Sequence, residues 1–177
     1  MKILGIIGGM SPESTATYYT EINRLVNQKK GGNISAPIVM VSVEFEEIVQ
    51  CQKQSEWQRA GEILAEAGKK LEMIGAEGIV LATNTMHKVA PQIERALSIP
   101  FLHILDATAD AIKSRGLNKV ALLGTKFTMS DNFYRDGLIV RGITPIVPNE
   151  DTQNEIHRII FDELCVGKFL PQSKAFY

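Results

Sequence analysis

Residues 77–87 read Glu-Gly-Ile-Val-Leu-Ala-Thr-Asn-Thr-Met-His. Gly78 to Leu81 is a short apolar run of the kind that forms a strand buried on both faces. It breaks at once into Thr83, Asn84 and Thr85, and a helical pattern follows. The carboxyl end of a strand in an open α/β sheet is where ligands bind. Two hydroxyls and an amide at such a point can hold a small polar ligand against a helix start, or serve only as a cluster of caps. Ala82 stands between strand and loop, where a reactive side chain would be expected and a methyl group can do no chemistry.

The flanking sequence repeats the strand–helix alternation. Upstream, Trp57, Ala60, Leu64, Ala67, Leu71 and Ile74 recur at three- and four-residue spacing, which predicts an amphipathic helix over Ser55 to Ile74 closed by Gly75. Earlier still, Ile3 to Gly8 predicts a strand. Ser11-Pro12-Glu13 then supplies a cap, an N1 proline and a first-turn acid for a helix reaching about Gln28. Pro37 to Val43 reads as a second strand, and Glu44 to Gln52 as irregular or a short helix. Downstream, Val89 to Leu97 is helical, Ile99 to Leu102 a short strand, and Asp106 to Ser114 a helix. Lys119 to Leu123 is a strand and Met129 to Val140 a helix started by Ser130-Asp131. Thr144 to Val147 is a strand and Glu150 to Leu164 a helix, and a last helix begins near Pro171. Strands alternating with helices predict an α/β protein with a parallel sheet covered on both faces.

The two halves are alike. Ile3 to Tyr19 and Lys119 to Tyr134 both read strand, glycine, polar loop, helix. Matching Gly9 to Gly124 gives an offset of 115 residues. The expected architecture is two pseudo-symmetric lobes, 1–104 and 105–177, each a mostly parallel sheet flanked by helices. The offset carries Ala82 forward to about position 197, so the second lobe is expected to be incomplete at its C-terminus. Because βα units resemble one another, an accidental offset is the alternative.

With 177 residues, 45% hydrophobic and 22% charged, the composition is that of a soluble globular protein. A net charge of -1 with no basic stripe argues against nucleic-acid and membrane-surface partners. No apolar stretch approaches the ~20 residues of a membrane span. The apolar run Ile3 to Ile7 is too short for a secretory signal, so the cytoplasm is the expected compartment. Cys51 and Cys165 have no metal-ligand spacing, nor does any pair of the histidines His87, His103 and His157.

Gly8-Gly9-Met10-Ser11-Pro12 is either an anion cradle at a helix start or a tight turn with a capped helix. It is neither a dinucleotide fingerprint nor a P-loop. Thr83, Asn84 and Thr85 are the more specific candidates for binding. Thr125 and Thr128 hold the equivalent place in the second half. The three histidines and two cysteines read as structural.

Three motifs carry a resemblance. Gly-Ile-Ile-Gly-Gly-Met-Ser-Pro-Glu-Ser-Thr at 5–15, Thr-Asn-Thr-Met-His at 83–87 and Val-Ala-Leu-Leu-Gly-Thr-Lys-Phe-Thr-Met at 120–129 resemble the aspartate/glutamate racemase family. Cys-Gln at 51–52, Gly-Glu-Ile-Leu-Ala-Glu-Ala at 61–67 and Phe-Asp-Glu-Leu-Cys at 161–165 are similar to the broad-specificity members of enteric bacteria. The resemblance implies a small-amino-acid site between two lobes, and racemisation without pyridoxal phosphate, other cofactor or metal. One cysteine thiolate takes the Cα proton and an opposed thiol returns one on the far face. It implies substrate-binding roles for Met10, Ser11, Thr83, Asn84, Thr85, Thr125 and Thr128, with aspartate, glutamate or a similar dicarboxylate as the small-molecule partner.

The chain departs from the family twice. A cysteine precedes Thr-Asn-Thr in the family, where this chain has Ala82. The second cysteine, in a Gly-Cys-Thr-Glu strand end, falls at the repeat's position of about 197. No catalytic cysteine is therefore expected among these residues, and activity is expected to be impaired or absent. The alternative is a non-catalytic binder of dicarboxylic amino acids. An incomplete lobe would expose apolar surface and favour association, so a homodimer is a further expectation.

Overall fold

The structure is a computed structural model that describes Met1–Tyr177. The chain divides into two compact units, Met1–Leu102 and His103–Tyr177. In the first, the elements run β1 (Leu4–Gly8), α1 (Pro12–Lys30), β2 (Ile38–Ser42), α2 (Phe45–Lys53), α3 (Trp57–Met73), β3 (Gly78–Leu81), α4 (Ala90–Ala96) and β4 (Phe101–Leu102). The four strands form one parallel sheet in the order β2-β1-β3-β4. Leu4 pairs with Ile38 on one side and Gly78 on the other, so β1 is central and its Ile6 and Ile7 are fully buried. Central strands buried on both faces need continuous apolar sequence, and both β1 and β3 have it. All four strands point the same way, which puts the loops after β1, β2 and β3 at one edge of the sheet.

The core of this unit is built by α3. Ala60, Leu64, Ala67 and Leu71 are buried along one stripe, as their spacing predicts. Each fully buried leucine contributes about 1.5–3 kcal/mol relative to exposure. Gly61 and Gly68 let α3 approach its neighbours closely: a Cβ at Gly61 would collide with the amide of Gln92, and one at Gly68 would lie 3.1 Å from Leu97. The stripe fails at its last member. Ile74 is exposed, because the helix ends at Met73 and Gly75, with φ +97°, reverses the chain so that the Ala76 N–H bonds the Leu71 carbonyl.

Between β3 and α4 the chain does not enter an α-helix directly. Thr85–Val89 is a 3-10 turn, and α4 begins only at Ala90. Pro91 explains this: it has no N–H to bond back into the preceding turn, and it suits the first turn of a new helix. The region after β2 resolves into a helix, α2, capped by the Glu44 carboxylate, which accepts from the N–H groups of Glu46 and Glu47.

The second unit runs α5 (Ile104–Lys113), β5 (Lys119–Ala121), α6 (Lys126–Ser130), α7 (Asn132–Ile139), β6 (Thr144–Ile146), α8 (Glu150–Asp162), a 3-10 turn at Leu164–Val166, and α9 (Pro171–Phe176). Strands β5 and β6 pair in parallel. Leu105, Ala109, Leu122, Tyr134, Leu138 and Ile143 make its core. The expected helix over Met129 to Val140 is two helices. Thr125 caps α6, and Asp131, extended at ψ 139°, ends it and caps α7 by accepting from the Phe133 N–H at 3.0 Å. The sheet of this unit is not covered on both faces. Ala121 and Ile146 are exposed, and with two strands each strand is an edge. Glu163 is buried and joins α8 to α9: it accepts from Arg158 at 2.9 Å and from the Ser173 hydroxyl. No helix is long and apolar enough to cross a membrane.

Candidate functional site

In the first unit the loops after β1 and β3 meet. The Gly9 N–H donates to Thr15 Oγ1 at 2.8 Å, and that hydroxyl donates to the Ser11 carbonyl at 2.8 Å. Ser11 Oγ accepts from the Ser14 N–H and so caps α1. These bonds are those of a tight turn with a capped helix. Met10 and Ser11 are both buried. Gly8 and Gly9 are needed for the packing: a Cβ at Gly8 would sit 2.4 Å from the Thr15 methyl, and one at Gly9 2.3 Å from the Val43 carbonyl oxygen.

Position 82 is pinned on both sides. The Ala82 N–H donates to the Ile7 carbonyl at 2.9 Å, extending the β1–β3 ladder by one step. Its carbonyl accepts from the Ser14 hydroxyl at 2.8 Å. Ser14 therefore ties the first turn of α1 to the tip of β3, a contact the sequence gives no sign of. The side chain is a fully buried methyl. Two backbone hydrogen bonds, one on either side of the peptide, thus fix the main chain at position 82.

The three polar residues that follow differ in exposure. Asn84 is exposed, Thr83 half-buried and Thr85 buried. The His87 ring closes the turn. Its Nδ1 lies 2.8 Å from the Thr83 carbonyl, which can only accept, so Nδ1 carries the proton. The ring also lies 5.7 Å from that of Phe101. Buried His87 thus holds the Thr83 backbone in place. Gln52, on the buried face of α2, donates its amide to Met86 Sδ at 3.0 Å.

In the second unit Thr125 and Thr128 come together. Thr125 Oγ1 accepts from the Thr128 N–H at 3.2 Å and lies 3.3 Å from Thr128 Oγ1. The Thr128 side chain is buried, and its methyl would touch a Cβ at Gly124 at 3.0 Å. A Cβ at Gly8 would make a comparable close approach to the Thr15 methyl in the first unit, at 2.4 Å. His157 Nδ1 accepts from the Lys126 N–H at 3.1 Å, the first residue of α6. The Lys126 ammonium is held by Glu150 at 3.1 Å and Asn154 at 2.8 Å.

Cys51 is not set up as a base. Burial pushes the Cys51 thiol up, and the carboxylates of Glu56 and Glu47 push the same way. Cys165 lies half-buried in the 3-10 turn Leu164–Val166. No group of three or more His, Cys, Asp and Glu side chains is arranged to hold a metal ion.

The Asp/Glu/Hydantoin racemase family matches this sequence over residues 7–177. The chain belongs to that family. It is 25% identical over 160 residues to the broad specificity amino-acid racemase RacX of Bacillus subtilis, which covers 89% of this chain and 69% of that protein. Among solved structures it resembles a candidate Asp/Glu racemase from Yersinia pestis, at 49% identity and a TM-score of 0.90, covering all of this chain and 77% of that one. An aspartate racemase homologue from Pyrococcus horikoshii OT3 is 40% identical with a TM-score of 0.80, over 95% of this chain and 74% of that one. The parallel α/β architecture is thus that of the Asp/Glu racemases.

One consequence in this racemase-family chain is a pH dependence. Burial holds the His157 ring below its ordinary range, and the Lys126 charge adds to this while Asp162 opposes it. The folded state then resists protonation more than the unfolded state does. The stabilisation is complete above the unfolded value of about 6.5, and falls as pH drops from there through the lower folded value. Solvent screening keeps the effect small, below about 1 kcal/mol. Urea midpoints between mildly acid and neutral pH should rise with pH, and His157→Gln, which keeps an acceptor for the Lys126 N–H, should flatten that slope. An unchanged slope would remove His157 as its source.

Proposed function

We propose that this chain binds a dicarboxylic amino acid on a cofactor-independent aspartate/glutamate racemase scaffold and, as it stands, does not racemise it. The observation that carries this reading is Ala82: its backbone is fixed through Ile7 and Ser14, its neighbours are Thr83, Asn84 and Thr85, and its own side chain is a methyl. In the two-thiol mechanism that the motifs imply, one thiolate removes the Cα proton and an opposed thiol delivers another. Position 82 belongs to the first of these. The place of the second, by the repeat, is about position 197 and outside these residues.

The α-carboxylate is assigned to Thr83, Asn84 and Thr85 together with Met10 and Ser11, and Thr125 and Thr128 are the binding candidates of the second unit. Hydroxyl and amide donors stabilise the negative charge that grows on a carboxylate as Cα is deprotonated. Removing a proton-transfer base typically costs ~10²–10⁴-fold in rate. The protein is assigned to the cytoplasm, and a homodimer is its expected state.

The test is direct. The purified chain is incubated with L- or D-aspartate and with L- or D-glutamate, and the enantiomers are separated chromatographically. Titration calorimetry with the same amino acids runs alongside. Binding at millimolar concentration without interconversion is expected. Measurable interconversion would show that a group other than a thiol at 82 performs the chemistry. Absence of binding would reduce the chain to a scaffold.

A further inference from the structure

A helix start leaves its first N–H groups without partners inside the helix. At the start of α6 side chains take two of them. The Thr128 N–H donates to Thr125 Oγ1 at 3.2 Å, within the loop itself. The Lys126 N–H is taken from another element, by His157 Nδ1 of α8 at 3.1 Å. That N–H belongs to the peptide joining Thr125 to Lys126, so His157 holds the backbone next to a binding candidate. The imidazole is half-buried, with the ring of Phe127 at 5.8 Å and that of Phe161 at 4.8 Å.

This bond depends on charge. Nδ1 accepts only as a bare nitrogen, so the bond fixes the neutral ring with its proton on Nε2. In the imidazolium both nitrogens carry hydrogen, and two N–H groups would face each other. Lys126 of α6 and Asp162 of α8 are the charged side chains that act on the ring, the first against the imidazolium and the second in its favour. The Lys126 ammonium is itself bonded to Glu150 and Asn154 of α8, and Ser130 donates to Gln153 at 2.7 Å. Of these contacts between α6 and α8, the His157 bond is the one that a proton breaks in the mildly acid range. His87 in the first unit behaves differently. Its Nδ1 donates to the Thr83 carbonyl, a bond that a protonated ring keeps.

We propose that His157 is a proton-sensitive clasp on the Thr125–Thr128 loop: the neutral ring holds the two threonines in their binding arrangement, and protonation releases them and weakens the ligand. This rests on the reading of Thr125 and Thr128 as binding residues for a dicarboxylic amino acid. His157 is a positioning residue, acting through the Lys126 peptide without touching the ligand. Linkage makes the effect reciprocal: a ligand that needs the neutral ring makes the ring harder to protonate. Direct attraction between an anionic ligand and an imidazolium would do the reverse, so the sign separates a clasp from a charge effect.

Titration calorimetry of the full 177-residue chain with L-aspartate at neutral and mildly acid pH tests it, in the wild type, His157→Asn and His157→Leu. The aspartate side-chain carboxyl, near about 3.9, stays ionised in this range. Asparagine sets its Oδ1 as many bonds from Cα as Nδ1 and does not titrate; leucine removes the acceptor. The wild type should weaken about fivefold on acidification, the worth of one hydrogen bond. His157→Asn should match the neutral wild type within about twofold and lose the acid weakening. His157→Leu should bind about fivefold more weakly at both pH values. Wild-type affinity that ignores pH, or acid weakening that persists in His157→Asn, would overturn the proposal. If neither variant folds, the wild type decides: the His157 ring signal, followed by nuclear magnetic resonance, should titrate at lower pH with saturating L-aspartate than without it. A midpoint unmoved or raised by the ligand is the negative result. A wild type that binds no L-aspartate overturns the amino-acid reading of the site and this inference together; binding with a pH profile indifferent to position 157 overturns this inference alone.

Discussion

Replacing Ala82 by cysteine is expected to switch on exchange of the Cα proton of bound aspartate with solvent deuterium, while leaving the enantiomers unconverted. The two outcomes separate because one base serves one face. A thiolate at position 82 removes the proton, the S–H so formed exchanges with solvent to S–D, and deuterium returns to the face it left. Inversion needs an acid on the opposite face, and neither cysteine present has that place in the family's motifs. The backbone at 82 is already held by Ile7 and Ser14, so the new sulfur inherits a fixed origin. The side chain at 82 is fully buried, so burial raises the thiol and exchange should keep climbing with pH above the ordinary thiol range of about 8.5. A gain of ~10²–10⁴-fold over the wild type is expected for the restored base. Loss of the Cα signal in deuterated buffer reads the exchange, and chiral chromatography reads inversion. Aspartate bound without exchange would refute the assignment of position 82, and inversion would show that another group protonates the second face.

The parts of this site that can be read in the sequence are those written in local patterns. Gly78 to Leu81 has the composition of a buried strand and forms a strand in which Ile79 and Leu81 are buried and Gly78 and Val80 half-buried. The α3 stripe is visible from Ala60 to Leu71 because spacing alone fixes which side chains share a face. Ile74 escapes the pattern because the Gly75 reversal, not periodicity, decides where it points. The split between α6 and α7 was open to reading at Asp131, a strong cap that can end one helix as readily as begin another. The contacts that join elements leave no such trace. Ser14 to Ala82 spans 68 residues and Gln52 to Met86 spans 34. Serine and glutamine at those places look like any other polar residues on a helix until the sheet order brings the loops to one edge. Ala82 was conspicuous only because its neighbours are polar and it is not.

The second large effect is expected at Gly9. Gly9→Ala should destabilise the protein by about 3 kcal/mol or more, through two separate costs. The first is conformational: Gly9 has φ +97°, outside the range an L-residue readily adopts. The second is a collision. An added Cβ would lie 2.3 Å from the Val43 carbonyl oxygen and 2.8 Å from the Val43 nitrogen. Val43 cannot move aside easily, because its N–H donates to the Gly8 carbonyl at 3.0 Å, where the β1–β2 pairing runs out. Gly32→Ala separates the costs. Gly32 also has a positive φ, +58°, but a Cβ there would meet nothing within 4 Å, so only the conformational cost of about 1–2 kcal/mol remains. Urea unfolding of both variants should show Gly9→Ala the less stable by about 2 kcal/mol or more. Shifting the loop would also disturb the Gly9–Thr15 bond and, through α1, the Ser14 hydroxyl that fixes Ala82. Gly9→Ala is therefore expected to weaken aspartate binding in whatever fraction stays folded, whereas Gly32→Ala, at the far end of α1, should leave it alone. Equal losses of stability in the two variants would mean that the β1 loop yields around the new methyl group and that the close approach to Val43 is not what shapes it.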